Sequence, residues 1–179
     1  MTAIGTVPLT PQLTMSRIGY GGSRLHYLRR PADRQALLAA ALDHGITHFD
    51  VAPLYGHGLA ERELGVFLKG RRDALTVATK WGLATPGFGG QVPRPLSFHA
   101  AALATLARKV SGEPVRPTLP PALLQKSLQG SLKRLGTDYV DLYLMHEPML
   151  VHLPDPLALC EALNALRTEG LIRAWGVAG

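Results

Sequence analysis

The sequence predicts an α/β fold of the (β/α)8 TIM-barrel type, incomplete, with about five of the eight βα units present. Apolar strands and helical patterns alternate five times in the 179 residues, which builds a parallel sheet from right-handed βαβ units. An open doubly wound sheet and a barrel both fit. Asp50, Lys80 and His146 each end a different apolar strand, which favours a barrel with its site at that face, because an open sheet concentrates its chemistry near one switch point.

The N-terminal region predicts a hairpin, a strand and a helix. Residues 1–16 alternate weakly between apolar and polar types around two prolines, which indicates a small hairpin or lid. Residues 17–23 resemble a short strand that runs into a turn at Gly21-Gly22. A helix then begins at Pro31, where the missing N–H costs nothing, and stops at Gly45.

Two strands with a helix between them follow. The first strand ends at Asp50, a turn rich in Pro and Gly carries Tyr55, and a helical pattern then runs to Gly70. Residues 75–80 are almost uniformly apolar or β-branched until the final lysine, which is typical of a strand buried on both faces.

Residues 81–119 interrupt the alternation. They are rich in Gly and Pro and contain one helix-like stretch, residues 97–110. A connection of this length is usually functional or without fixed structure. Since it follows the strand-end lysine, it is a candidate substrate lid, and a variable surface insertion is an equally good explanation. We predict a single partial barrel domain, residues 1–179, with residues 81–119 as its long loop or insertion.

The alternation resumes after this segment. A helical pattern ends at Gly136, and residues 139–146 form another buried-strand pattern that ends in a histidine. Asp155-Pro156 begins a further helix, which Gly170 ends, and residues 171–177 are the last predicted strand.

Composition and charge argue against several classes of protein. The net charge of +6 comes from 19 Lys and Arg against 13 Asp and Glu, without the interleaved aromatics of a nucleic-acid surface, so we expect no nucleic-acid partner. The single cysteine, Cys160, excludes an internal disulfide. No apolar segment has membrane-spanning length, and no basic region followed by an apolar run opens the chain, so we expect a cytoplasmic protein without a membrane partner.

The strand-end residues predict an acid/base site if the strand ends converge. A phenol has a pKa near ~10, and a neighbouring ammonium lowers it by stabilising the phenolate, so Tyr55 and Lys80 form a tuned pair. Asp50 would hold Lys80 charged, and His146 could donate a hydrogen bond to a carbonyl oxygen. Each residue alone is more often a cap, a solvated lysine or a core residue. Four polar residues at corresponding places in successive βα units are hard to explain by capping alone. No Cys or His spacing resembles a metal site.

The same residues carry a resemblance to a known family. The run from Phe49 to Gly56, with Glu61 and Leu64-Gly65, resembles the signature of the aldo-keto reductases. The resemblance spans nearly the whole chain, and its other segments are residues 77–80, 131–136, 139–146 and 170–173. The Gly- and Leu-rich sequence from Leu54 to Gly65 looks most like that of the sugar-lactone and aldose dehydrogenase branch.

This resemblance implies an NAD(P)H-dependent oxidoreductase that reduces aldehydes or ketones, or oxidises aldoses, with NADP(H) or NAD(H) as cofactor. It implies that Tyr55 gives the proton, that Lys80 and Asp50 tune it, and that His146 orients the carbonyl. The candidate cofactor contacts are Gly21, Gly22, Ser23 and Asp50, and the candidate substrate contacts are Leu54, Trp81, His146 and Glu147.

Two departures from the family pattern define an alternative. Ala178-Gly179 stands where the family usually has a Ser-Asn pair that grips the nicotinamide amide. Three strands with their helices, which in the family carry most contacts to the cofactor's phosphates, are absent from the chain. An open piece of barrel exposes strand edges, so self-association is expected. The alternative function is a catalytically inactive remnant, or a binding or regulatory subunit without the cofactor-binding half.

Overall fold

A five-stranded parallel sheet is the framework of the fold. The computed structural model describes residues 4–83, 121–148 and 155–179, together with positions 99, 102, 103, 106 and 153. In this sheet the strands lie side by side in sequence order. They are β3 (Gly19–Gly21), β4 (His48–Asp50), β5 (Thr76–Trp81), β6 (Val140–His146) and β7 (Ile172–Ala178). Sequential order without a reversal is the arrangement of a barrel wall, whereas a doubly wound sheet reverses its order at a switch point.

Within the described ranges four α-helices accompany these strands. They are α1 (Pro31–Asp43), α2 (Leu59–Leu68), α3 (Pro121–Leu135) and α4 (Pro156–Thr168), with short 3₁₀ helices at Gly22–Tyr27 and Arg72–Ala74. Helix α1 starts with Pro31 at its first turn, as predicted. At the start of α4 the Asp155 carboxylate accepts from the Ala158 N–H at 2.9 Å, which satisfies one of the free donors of the first turn.

The predicted N-terminal hairpin is confirmed, and it lies away from the strand ends that carry the polar residues. Strands β1 (Thr6–Thr10) and β2 (Leu13–Ser16) pair antiparallel. Ser16 Oγ accepts from the backbone N–H groups of Thr47 and His48 at 3.0 and 3.1 Å. Since those groups lie at the start of β4, the hairpin sits at the N-terminal end of the sheet, opposite the candidate site.

The core lies between the sheet and the helices. Phe49 and Val77 from the sheet and Leu64, Leu128 and Leu163 from three helices are fully buried. Each such side chain contributes about 1.5–3 kcal/mol by leaving water. This packing fixes the distance between each strand and the helix that follows it, and so fixes the loops at the strand ends.

A buried carboxylate joins the three neighbouring strands β5, β6 and β7 near their N-terminal ends. Asp141 is fully buried and accepts from Arg72, from Arg173 and from the Val77 backbone N–H at 2.8 to 2.9 Å. A buried carboxylate is tolerated only when its oxygens are matched in this way. The network therefore holds the register of these strands at the end away from the site.

Most of the predicted loop 81–119 and of its helix-like stretch, residues 97–110, lies outside the described residues. Within the described ranges no helix is long and apolar enough to cross a membrane, and no group of three or more His, Cys, Asp or Glu side chains is placed to hold a metal ion.

Helices α2 and α3 touch at a glycine, which yields the first testable prediction. A Cβ built on Gly65 would lie 2.6 Å from the Arg134 carbonyl oxygen and 2.7 Å from that of Leu135. Both atoms are backbone, so Gly65→Ala must move a helix, and we expect it to lower the free energy of unfolding in urea by about 1–3 kcal/mol.

Gly130→Ala on α3 is the matched control. There a Cβ would lie 3.2 Å from the flexible guanidinium of Arg134, and alanine gains up to about 1 kcal/mol of helix propensity. The control should therefore be neutral or stabilising. A Gly65→Ala protein as stable as the parent would show that the two helices do not pack as closely as described.

Candidate active site

The candidate site is formed where β4, β5 and β6 end beside one another. Asp50, the last residue of β4, pairs with Ala78 of β5, and Lys80 pairs with Leu144 of β6. His146 is the last residue of β6. Because the strands are parallel, their polar ends come together at one edge of the sheet.

Lys80 is the central group of this site. Its side chain is 5% exposed, and its ammonium donates to Asp50 Oδ1, to the Tyr55 hydroxyl at 3.1 Å and to the Val51 carbonyl at 3.4 Å. An ammonium has three hydrogens to donate, so these three acceptors match the donors of a buried cation. These contacts direct the end of the lysine side chain at the phenol.

Tyr55 reaches the lysine from the turn between β4 and α2. Its N–H donates to the Ala52 carbonyl at 3.0 Å, and its own carbonyl accepts from the Ala60 N–H at 3.2 Å. The Tyr55 and His146 rings meet edge to face, with centroids 5.7 Å apart. The structure thus brings together all four residues predicted to form the acid/base group.

The surroundings of His146 favour its neutral form. Its side chain is buried, and burial lowers its pKa below the usual 6.5, with the positive charge of Lys80 adding to that effect. A neutral imidazole has one N–H donor and one acceptor nitrogen. At neutral pH it can therefore donate one hydrogen bond to an oxygen atom in the site.

The candidate cofactor residues lie on the neighbouring strand end. Gly21 pairs with Asp50 in the sheet, and Ser23 is exposed just beyond it. Gly22 has a packing reason of its own, because a Cβ there would lie 3.0 Å from Val51 Cγ1 and 3.3 Å from the Asp50 carbonyl. The structure therefore places this turn directly against the end of β4.

Leu54 and Glu147, two of the candidate substrate residues, lie next to members of the group. Leu54 is half-buried and precedes Tyr55 in its turn. Glu147 is exposed directly after His146, has φ of 47°, and donates its backbone N–H to Ala178 of β7 at 2.6 Å. Both residues thus lie beyond the C-terminal ends of the strands.

Trp81, the remaining substrate candidate, is not brought together with the other residues. It is 3% exposed, and its ring stacks on Tyr143 at 6.2 Å between centroids. Tyr143 donates its hydroxyl to the Leu124 carbonyl of α3, so this layer faces the helices. Strand β5 includes Trp81, and successive side chains of a strand point to opposite faces, which is why Lys80 reaches the site and Trp81 does not.

Sequence reasoning gave no role to three residues behind the site. Glu61, Thr79 and Arg134 form a hydrogen-bonded group between α2, β5 and α3. Glu61 stands in the quoted signature, but a carboxylate in the first turn of a helix is ordinarily explained by the helix dipole. Glu61 is completely buried, and this burial depends on tertiary packing that the local sequence pattern does not predict.

Comparison with known proteins identifies the family and the fold. The family model described as the aldo/keto reductase family matches residues 17–179. A 6-dehydroglucose reductase of Agrobacterium fabrum is 34% identical, over 96% of this chain and 52% of the relative. The holo form of aldo-keto reductase AKR11C1 from Bacillus halodurans superimposes with a TM-score of 0.75 at 28% identity, covering 98% of this chain and 50% of that one.

A second solved structure carries a named cofactor. An aldo-keto reductase from Klebsiella pneumoniae in complex with NADPH superimposes with a TM-score of 0.68 at 28% identity, covering 99% of this chain and 50% of that one. The chain thus spans about half the length of the proteins it matches.

The geometry predicts how the protonation of His146 depends on Lys80. Lys80→Met removes a positive charge that lowers the His146 pKa and leaves the Asp50 charge, which raises it. We therefore expect the pKa of His146 to rise in this variant, while remaining subject to the effect of burial. NMR titration of the His146 ring Cε1–H signal measures this directly.

Lys69→Met is the matched control. Lys69 is an exposed residue at the end of α2, so its loss should leave the His146 titration unchanged. Asp50 is 29% exposed, and water can therefore solvate its carboxylate when the lysine is replaced. An unchanged or lowered His146 pKa in Lys80→Met would contradict the described arrangement.

Proposed function

The chain belongs to the aldo-keto reductase family, and we propose that its site serves an NAD(P)H-dependent oxidoreductase that reduces aldehydes or ketones, or oxidises aldoses. The observation that supports this most strongly is the contact of 3.1 Å between the buried Lys80 ammonium and the Tyr55 hydroxyl. Carbonyl reduction requires a proton donor and a hydrogen-bond donor for the substrate oxygen, and here the phenol touches a fixed cation and lies beside a histidine.

The roles of the four residues follow from their contacts. When bound, the nicotinamide supplies or accepts the hydride. Tyr55 gives its proton to the carbonyl oxygen, and the Lys80 ammonium stabilises the negative charge that develops on the phenol oxygen. Asp50 holds the ammonium through its carboxylate. His146 donates an N–H to the substrate oxygen and so orients the carbonyl.

The residues at the strand ends fit the reacting end of the cofactor. Asp50 is partly exposed, and Gly21 and Ser23 are exposed beside it, so polar groups next to the acid/base residues are open to a ligand. Gly21, Gly22, Ser23 and Asp50 would hold this end of the group. NADP(H) or NAD(H) is the proposed cofactor, supported by the Klebsiella pneumoniae relative in complex with NADPH.

We propose a sugar or another small carbonyl compound as the substrate. The relative from Agrobacterium fabrum is named a 6-dehydroglucose reductase. Leu54, Glu147 and His146 are the proposed contacts, and Trp81 is left out because its ring packs on the helix-facing side of the sheet. The cytoplasm is the proposed location, because a chain with the single cysteine Cys160 forms no internal disulfide and needs no oxidising compartment.

The two edge strands of the described sheet offer surfaces for self-association. Among the described strands, β3 and β7 each have a neighbour on one side only. Unpaired edges present free backbone donors and acceptors to another strand. Self-association through these edges therefore remains a proposal, which sedimentation of the purified chain would test.

A fluorescence titration of the purified 179-residue chain with NADPH and NADH tests the proposed function. We expect saturable binding near micromolar, or about −8 kcal/mol. In a carbonyl-reduction assay Tyr55→Phe should keep this binding and lose about 10²- to 10⁴-fold in turnover, since only the proton donor is removed.

Tyr139→Phe is the control, because the Tyr139 hydroxyl contacts Asp73 at 3.3 Å on the exposed surface, outside the site. It should keep both binding and turnover. A folded chain that binds neither nucleotide would support the alternative of a non-catalytic remnant or regulatory subunit.

A further inference from the structure

A single buried carboxylate is connected to both members of the Tyr55–Lys80 pair. Glu61 is fully buried in the first turn of α2. Its Oε1 accepts from Thr79 Oγ1 at 2.7 Å, and its Oε2 accepts from Arg134 Nε of α3. We propose that Glu61 is the positioning residue that sets the separation of the Tyr55 hydroxyl and the Lys80 ammonium, a role that rests on the proposed function.

The connection to Lys80 runs through the backbone of β5. Thr79 is fully buried and immediately precedes Lys80. Because strand side chains alternate, Thr79 points at α2 while Lys80 points into the site. The hydrogen bond from Thr79 to Glu61 therefore holds this part of the strand from the face opposite to the chemistry.

The connection to Tyr55 runs through the start of α2. The Ala60 N–H, directly before Glu61, donates to the Tyr55 carbonyl, and the Leu59 N–H donates to Gly56. Two of the free donors of the first helical turn are thus satisfied by the turn that carries the phenol. Any shift of Glu61 relative to β5 moves this turn relative to Lys80.

Arg134 makes the carboxylate rigid. Its guanidinium pairs with Glu61 and also contacts Ser131 Oγ at 3.3 Å. A buried carboxylate with two matched oxygens has few alternative positions, and leaving one oxygen without its donor is costly. The threonine, the glutamate and the arginine thus connect β5, α2 and α3 directly behind the Tyr55–Lys80 contact.

The chain contains a matched control on the same helix. Glu63 is also fully buried and pairs with Arg34 of α1 at 3.1 Å, while Gln35 donates to it at 2.9 Å. Both of these partners lie on α1. Glu63→Gln therefore disturbs a comparable buried ion pair, while Glu61 itself keeps its partners Thr79 and Arg134.

Thr79→Val is the decisive variant, because it removes one hydroxyl and keeps the shape and the Glu61–Arg134 pair. In carbonyl reduction by the 179-residue chain we expect kcat to fall about tenfold or more with KM nearly unchanged, since a displacement of about 1 Å can cost 10²-fold. Thr79→Ser, which keeps the hydroxyl, should restore most of kcat. Glu61→Gln should resemble Thr79→Val, whereas Glu63→Gln should lose stability without the selective loss of kcat.

An NMR measurement separates this proposal from the proposed function. The Lys80 nitrogen lies 4.8 Å from the centroid of the Tyr55 ring, so the nuclear Overhauser contact between the Lys80 Cε–H protons and this ring should weaken in Thr79→Val and persist in Thr79→Ser and Glu63→Gln. If the parent chain shows no turnover, the proposed function fails, and this ring contact still decides the positioning role. An unchanged ring contact in Thr79→Val, or an equal loss in Glu63→Gln, would overturn the proposal. Should Glu61→Gln not fold, the two Thr79 variants decide the question.

Discussion

The buried ammonium of Lys80 is the constraint on which the rest of the site depends. A cation removed from water is tolerated only if acceptors surround it. Those acceptors come from the end of β4, as the Asp50 carboxylate and the Val51 carbonyl, and from the following turn, as the Tyr55 hydroxyl. The requirement that makes the lysine stable inside the protein is therefore also the one that places the phenol beside it.

Helix α2 transmits the packing of the fold to this site. Two of its carboxylates are completely buried, and each pairs with an arginine of a different neighbouring helix, Glu63 with Arg34 and Glu61 with Arg134. Gly65 lets the same helix approach α3 so closely that a methyl group would not fit. Because the Tyr55 turn is joined to the start of α2, these contacts determine where the phenol stands.

The two ends of the sheet have different roles. At the N-terminal end, Asp141 and Ser16 satisfy backbone and arginine donors and hold the strands in register. At the C-terminal end, Asp50, Lys80 and His146 come together with Tyr55 of the following turn. This division is the one expected of a barrel wall, and it explains why the hairpin at the N-terminal end takes no part in the site.

The sequence by itself determined the alternation of strands and helices, the hairpin, and the four residues that end or follow the strands, since each depends on local periodicity, on Gly and Pro, or on a motif of fixed spacing. Tertiary structure decided the rest. Trp81 belongs to β5, one residue beyond the predicted strand end, and faces the helices because side chains alternate. Glu61 and Arg134 are 73 residues apart, and their pairing depends on the crossing of two helices. A periodic pattern reports which face of an element is buried, but it does not report what that face meets.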